Sequence, residues 1–386
     1  MLTPELERAV IDYRREFHRR PELGFQEVRT AERLAEILAG IDGLEVQTGV
    51  AQTGLVVLLR GGAPGPTLLV RADMDGLPIQ ELNESPYKSE NPGVMHACGH
   101  DAHMAMQLGA IRVLAAERQS LRGNVKFVFQ PAEEGPGGAK PMIEAGVMEN
   151  PHVDNAIGYH IWNNLPVGTI GITEGPCMAH TDVFELTIQG RGGHGAMPQR
   201  SVDSIAVAAH LVTAIQTIVS RNVDPLQSGV VTVGKLEAGD RHNIIAHTAH
   251  MWGTARSFSP EIAKLIPERL EALSTHLCEA FGAKCHLHYA NVYPATVNDP
   301  GMCRRVWDSA VKVVGEEKVV AAAPSMGGED MSYFLEAVPG CYFFIGSSNP
   351  AKGIDVPHHH PEFRIDEDAL AVGTQVIVQA VRDYLS

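Results

Sequence analysis

The stretch HACGHDAH, from His96 to His103, places three histidines, a cysteine and an aspartate within eight residues. Cys98 and His100 are two apart, so in an extended loop their side chains fall on the same side, which suits two ligands of one metal site. A thiolate and an imidazole together favour zinc or another borderline divalent ion. Two other readings stand beside this one: a buried cysteine next to a loop histidine, and a thiol nucleophile at Cys98 with His100 or His103 as its base. Asp101 is expected to cap the helix that begins here, leaving His96 and His103 outside a ligand set.

Three further places could supply missing ligands. QPAEEG sets Glu133 beside Glu134 after the apolar run NVKFVFQ, and extended neighbours point in different directions. One carboxylate could bind metal while the other holds a water as general base. His160 closes the apolar run AIGYH, and PHHHPEF supplies His358, His359 and His360. Each alone reads equally well as a turn, a core histidine or an exposed loop; their weight lies in convergence.

The elements between them bring that convergence about. LVVLL (55–59), TLLVRA (67–72), NVKFVFQ (124–130) and NAIGYH (155–160) read as strands, and AHMAMQLGAIRVLAAER as a long helix. Strands alternating with helices predict an α/β fold with a mostly parallel central sheet, whose functional groups collect at the carboxyl ends of the strands. Residues 4–39 read as two helices broken at RRPELGFQE. From Asp182 the pattern changes to alternation, DVFELTIQG, then a helix from about Ser201 to Val219, GVVTVGKLEAG, HTAHMWGTAR, a helix over about 260–281 and KCHLHYA. This block predicts an inserted α+β domain, after which CRRVWDSAVKVV, GCYFFIG and a last helix complete the first core.

Composition bounds the function. A chain of 386 residues suggests two domains, and 44% apolar with 20% charged residues signals a globular protein. A formal charge of −15 opposes nucleic acid and anionic lipid, and no basic stretch offsets it. No run reaches the roughly 20 apolar residues of a membrane span. The N-terminus MLTPELERAVIDYRREFHRR shows no secretion signal, and the cysteines at 98, 177, 278, 285, 303 and 341 form no regular framework. A cytoplasmic enzyme acting on a small molecule or peptide is expected, with no nucleic acid or membrane partner.

In order and in kind, RADMDGLP, HACGHDAHM, FQPAEEG, GYH, GRGGHGAMP and HHPEF resemble the signatures of the M20 family of metallopeptidases and amidohydrolases, in the branch of hippurate hydrolases, N-acyl-amino-acid amidohydrolases and indole-acetyl-amino-acid hydrolases. The resemblance covers nearly the whole chain. It implies a zinc-peptidase-like catalytic domain, here residues 1–180 plus 292–386, interrupted by a lid and dimerisation domain, here 181–291. It implies two divalent ions per subunit, manganese or zinc with cobalt or nickel as alternatives, held by Cys98, His100, Glu134, His160 and His359. His359 is chosen from the three histidines because the family pattern is similar to His-x-Pro-x-Phe/Tyr. Glu133 would act as general base, Asp75 would orient a ligand histidine, and His194 would reach the centre of a partner subunit to stabilise the oxyanion. Asn243, Arg256 and Glu329 would contact substrate. The implied activity is metal-dependent cleavage of N-acyl amino acids by a homodimer or higher oligomer, with a carboxypeptidase or dipeptidase as the alternative and a binding protein that has lost catalysis as a third possibility. Gln199 after GAMP and GGED near the C-terminus depart from the commoner family residues; neither touches an implied ligand.

Overall fold

The computed structural model describes residues 2–386, which divide into two units. The first comprises the chain up to Cys177, Val297–Ala323 and Asp330–Ser386; the second comprises Met178–Thr296 and Pro324–Glu329.

The first unit is built on an eight-stranded sheet. In chain order its strands are β1 (Leu44–Val50), β2 (Gly54–Arg60), β3 (Ala63–Asp73), β4 (Arg122–Gln130), β5 (Asn155–Pro166), β6 (Ile170–Ile172) and, after the short β7 (Gly175–Met178) and the second unit, β15 (Val319–Ala321) and β16 (Gly340–Ser348). Their spatial order is β1-β2-β4-β3-β5-β16-β6-β15. The centre, β4-β3-β5-β16, is parallel, whereas β1-β2, β2-β4 and β16-β6 pair antiparallel. Buried on both faces, the central strands read as continuous apolar runs rather than alternations. β5 continues past His160 to Pro166, so this histidine lies within a strand and does not end it. It stands opposite Phe344 of β16, while pairing with β3 stops at Gly158.

Around the sheet are α1 (Pro4–Arg19), α2 (Val28–Ala39), α3 (His100–Ala116), α4 (Ala139–Glu144), α7 (Pro300–Val314), α8 (Ser332–Ala337) and α9 (Asp368–Tyr384). α3 is apolar nearly all round because it is buried nearly all round. A Cβ at Gly109 would come within 2.7 Å of Val10 in α1 and 2.9 Å of Thr374 in α9, so the glycine lets three helices meet.

The second unit has a four-stranded antiparallel sheet, β10-β12-β8-β13, formed by β8 (His180–Gln189), β10 (Gly229–Ala238), β12 (Thr248–Ser257) and β13 (Lys284–Tyr293). α5 (Ser204–Asn222) and α6 (Pro260–Ala280) pack against it, capped by Asp203 and Ser259. β9 (Gly193–His194) pairs with β11 (Ile244–Ile245) in a separate two-residue ribbon, and β14 (Thr296–Asn298) returns the chain to the first unit. By length and composition α5 alone among the described residues could cross a membrane; its Val207, Leu211, Ile215 and Ile218 are buried in the core of this unit.

Candidate functional site

The carboxyl ends of the parallel strands carry the chemistry of the first unit. Asp73 ends β3 and Asp75 follows it; Glu133 and Glu134 follow β4; Cys98 precedes α3 and His100 is its first residue; His359 lies in the loop after β16. Gly99, at φ +91°, makes the turn into α3.

These side chains come together. Three overlapping groups have ligand atoms within 4.8 Å of one another: Cys98, His100 and His160; Cys98, Glu134 and His359; His100, Glu133 and Glu134. His100 Nδ1 donates to Asp75 Oδ1 at 3.1 Å, which orients the ring and points Nε2 into the cluster. That Nε2 is buried and makes no hydrogen bond, and it faces Asp73, Glu133 and Glu134 at 3.6, 3.9 and 4.0 Å. Burial opposes charge on His100, but Asp73, Asp75 and Glu134 outweigh it and push its pKa up to about 10, so the pocket favours a cation. His160 donates Nδ1–H to Ile161 O, leaving Nε2 at 3.3 Å from Cys98 Sγ. An imidazole nitrogen without a hydrogen-bond partner among the described residues, set among carboxylates, a thiol and further imidazoles, belongs to a donor set that fits divalent metal once the ring gives up its proton.

Among the three consecutive histidines, His359 has Nε2 3.0 Å from Glu134 Oε1. His358 is turned to Ile161 O at 2.9 Å, and burial pushes its pKa down to about 4; His360 Nδ1 accepts from Glu362 N–H. Burial, together with Glu134 and Glu133, raises the Cys98 pKa well above that of a free thiol. A neutral thiol is a poor nucleophile, so without a metal Cys98 is ill suited to attack a carbonyl.

Further buried charged and polar groups surround this cluster. Arg71 is completely buried and donates to Gln130, to Asp73 at 2.7 Å and to Asp330 at 2.8 Å. Asp330 also accepts from Gln130 and from the backbone N–H of Gly138 and Ala139. Burial disfavours the charge on Asp73, but His100, His103 and Arg71 hold its pKa well below the usual carboxylate range. His103 uses both ring nitrogens, Nδ1 toward Asp73 and Nε2 accepting from Ile161 N–H at 2.8 Å. Asp101 is no helix cap: α3 has no side-chain cap, and its carboxylate pairs with Arg14 and His18 of α1, each at 2.8 Å. His96 is buried, and burial pushes its pKa down to about 3.

The remaining candidates belong to the second unit. His194 is exposed in β9, opposite Ile244, and Asn243 O accepts from Gly195 N–H at 2.8 Å, so the two residues share one ribbon. Arg256, in β12, is half-buried, and its guanidinium bonds go to uncharged acceptors: Asp182 O, Ala255 O and Thr254 Oγ1. Glu329 is buried at the end of the segment Pro324–Glu329.

The sequence profile described as "Peptidase family M20/M25/M40" matches residues 69–383. A thermostable carboxypeptidase 2 of Saccharolobus solfataricus is 40% identical over 374 residues, covering 96% of this chain and 93% of that protein. An N-acetyl-L-cysteine deacetylase of Bacillus subtilis is 38% identical over 380 residues, covering 98% and 89%. The solved structure of the Bacillus subtilis protein YXEP, described as a dinuclear metal-binding peptidase of the M20 family, superposes with a TM-score of 0.87 at 33% identity, covering 100% of this chain and 99% of that one.

Proposed function

Since the chain belongs to peptidase family M20/M25/M40 and so is a hydrolase of amide or peptide bonds, we propose that it is a metal-dependent amidohydrolase of N-acyl amino acids. The observation that carries this reading is His100 Nε2, buried without a hydrogen bond among carboxylates, with Cys98, His160 and His359 around the same cluster. Cys98, His100, Glu134, His160 and His359 would hold two divalent cations, manganese or zinc, and the mixed donor set also admits cobalt or nickel. When bound, such a pair acidifies water and polarises the scissile carbonyl.

The chain's own residues do the rest. Glu133 takes the proton of the attacking water on a carboxylate oxygen and delivers it to the departing amine nitrogen. Asp75 holds His100 by Nδ1 and the Glu134 backbone by its N–H, which supports an orienting role. His194, on its exposed ribbon, donates to the developing oxyanion in the site of a second copy of the chain, so the active form is a homodimer or higher homo-oligomer and the second unit is its lid and dimerisation domain. Arg256 offers a guanidinium without a carboxylate partner among its hydrogen bonds, suited to the substrate carboxylate, and Asn243 and Glu329 complete the substrate contacts. The free cysteines suit a reducing cytoplasm.

The identity to a carboxypeptidase favours one alternative, release of C-terminal residues from short peptides, since Arg256 would serve a peptide carboxylate equally well. A panel of N-acetyl and N-benzoyl amino acids against dipeptides, run on metal-reconstituted enzyme, decides between them. The proposal expects the acylated amino acids to be turned over faster; hydrolysis of dipeptides alone overturns it.

A further inference from the structure

Glu133 stands on a loop held from both sides, and one hold comes from a residue with no other part in the reaction. Ala132, immediately before Glu133, is completely buried and has φ +55°. That left-handed region is disfavoured for a residue with a Cβ, and single residues persist there only where their surroundings enforce it. Glu27, itself completely buried, supplies the enforcement. Its Oε1 accepts the Ala132 N–H at 2.9 Å and its Oε2 accepts the Thr53 hydroxyl at 2.7 Å. Burial raises the pKa of this carboxyl, so its position is unfavourable for an acid except for the bonds it makes.

The approach of this segment is close. A Cβ at Gly24 would lie 2.9 Å from Ala132 Cβ and 2.9 Å from Gly135 O. Gly137 N–H donates back to Ala132 O at 2.9 Å and closes the loop. On the far side of Glu133, Glu134 N–H donates to Asp75 Oδ2 at 3.0 Å. The backbone that carries Glu133 is thus fixed before it by Glu27 and after it by Asp75.

We propose that Glu27 is a positioning residue for Glu133: by keeping Ala132 left-handed it sets the direction in which the Glu133 side chain leaves the backbone, and so where its carboxylate meets the attacking water. The inference rests on Glu133 being the general base. Because Glu27 bonds to none of the five ligand candidates, its loss acts on proton transfer while the metal-binding groups keep their places.

The test compares Glu27→Ala, Glu27→Gln, the double variant Glu27→Ala/Ala132→Gly and Glu133→Gln in the full-length, metal-reconstituted enzyme. Turnover of the best N-acyl amino acid, metal content and melting temperature are measured. Misaiming a catalytic group by an ångström costs on the order of 100-fold, so Glu27→Ala is expected to lower kcat about 10- to 100-fold with KM and metal content unchanged. Glu27→Gln keeps an oxygen for the Ala132 N–H and stays close to wild type. Glycine takes positive φ without steric penalty, so the double variant recovers much of the lost kcat. Unchanged kcat in Glu27→Ala, equal damage from Gln and Ala, a loss that tracks metal content, or no recovery in the double variant would each overturn the proposal. If Glu27→Ala fails to fold, Thr53→Val removes only the anchoring hydroxyl; kcat is then expected to fall about threefold at constant KM, and no fall overturns the proposal. Glu133→Gln separates the two claims: if it keeps normal turnover, the base assignment falls, and if it is inactive while Glu27→Ala is unaffected, only the role of Glu27 falls.

Discussion

Replacing Asp75 by asparagine removes one charge and almost no volume, and the structure identifies the bonds that suffer. Asp75 is 2% exposed; Oδ1 accepts from His100 Nδ1 at 3.1 Å and Oδ2 from Glu134 N–H at 3.0 Å. Both partners are donors, so an asparagine can satisfy one with its oxygen and must turn its own N–H groups toward the other. Losing one charge-assisted bond and leaving a buried donor unpaired costs about 1.5–3 kcal/mol. At 1.4 kcal/mol per factor of ten, that is ~10- to 100-fold, the usual range for partners that orient metal ligands. The cost falls on the ring of His100 and the backbone of Glu134, both in the proposed ligand set. Titration of Asp75→Asn with manganese or zinc in competition with a chelator is therefore expected to show affinity reduced by about that factor, with activity largely restored at saturating metal. Affinity within about twofold of wild type, a difference of only ~0.4 kcal/mol, would refute the reasoning.

Asp330→Ala leaves Arg71 completely buried with one of its carboxylate partners gone, and urea unfolding should show a loss of about 3–5 kcal/mol. Burial and Arg14 lower the pKa of His18, but Asp101 and Glu81 outweigh them and raise it. The stability that His18 contributes is then fully present below its unfolded pKa of about 6.5 and is lost as pH rises through the higher folded value. The stability gap between wild type and His18→Gln should accordingly shrink between pH 6 and pH 9 in thermal melts, and a gap that widens contradicts the ion pairs. Arg256→Met is expected to raise KM for an N-acetyl amino acid about 10- to 100-fold, the worth of a charge-assisted pair, while leaving KM for the corresponding amide unchanged.

Much of the candidate cluster was visible in the sequence because its residues stand where apolar runs meet glycine or proline. Cys98, His100, Glu133 and Glu134 are flanked in this way, and a parallel sheet delivers such junctions to one edge. The supporting groups were not legible for an equally physical reason. Arg71 and Asp330 are 259 positions apart, and Arg14 lies in a helix that reads only as amphipathic, so their pairing exists only in the folded chain. Asp101 shows the cost: as a short polar residue at a helix start it reads as a cap, yet two buried cations from α1 claim its carboxylate. Glu27 gave no signal, since a lone glutamate after PELGFQ is an ordinary helix start until the positive φ of Ala132 is seen beside it. The antiparallel pairing of β2 with β4 and of β6 with β16 was also hidden, because strand direction in buried runs leaves no periodic trace.

The central claim is that Glu133 moves the proton for a water activated within the Cys98, His100, Glu134, His160 and His359 cluster. Metal content and steady-state turnover of Glu133→Gln, measured beside the wild type, test it most directly. The account predicts the same two equivalents of bound metal in both proteins and a kcat lower by about 100- to 10,000-fold in the variant, the worth of a general base. Near-normal turnover in Glu133→Gln, or wild-type activity that survives complete removal of metal by a chelator, would contradict it.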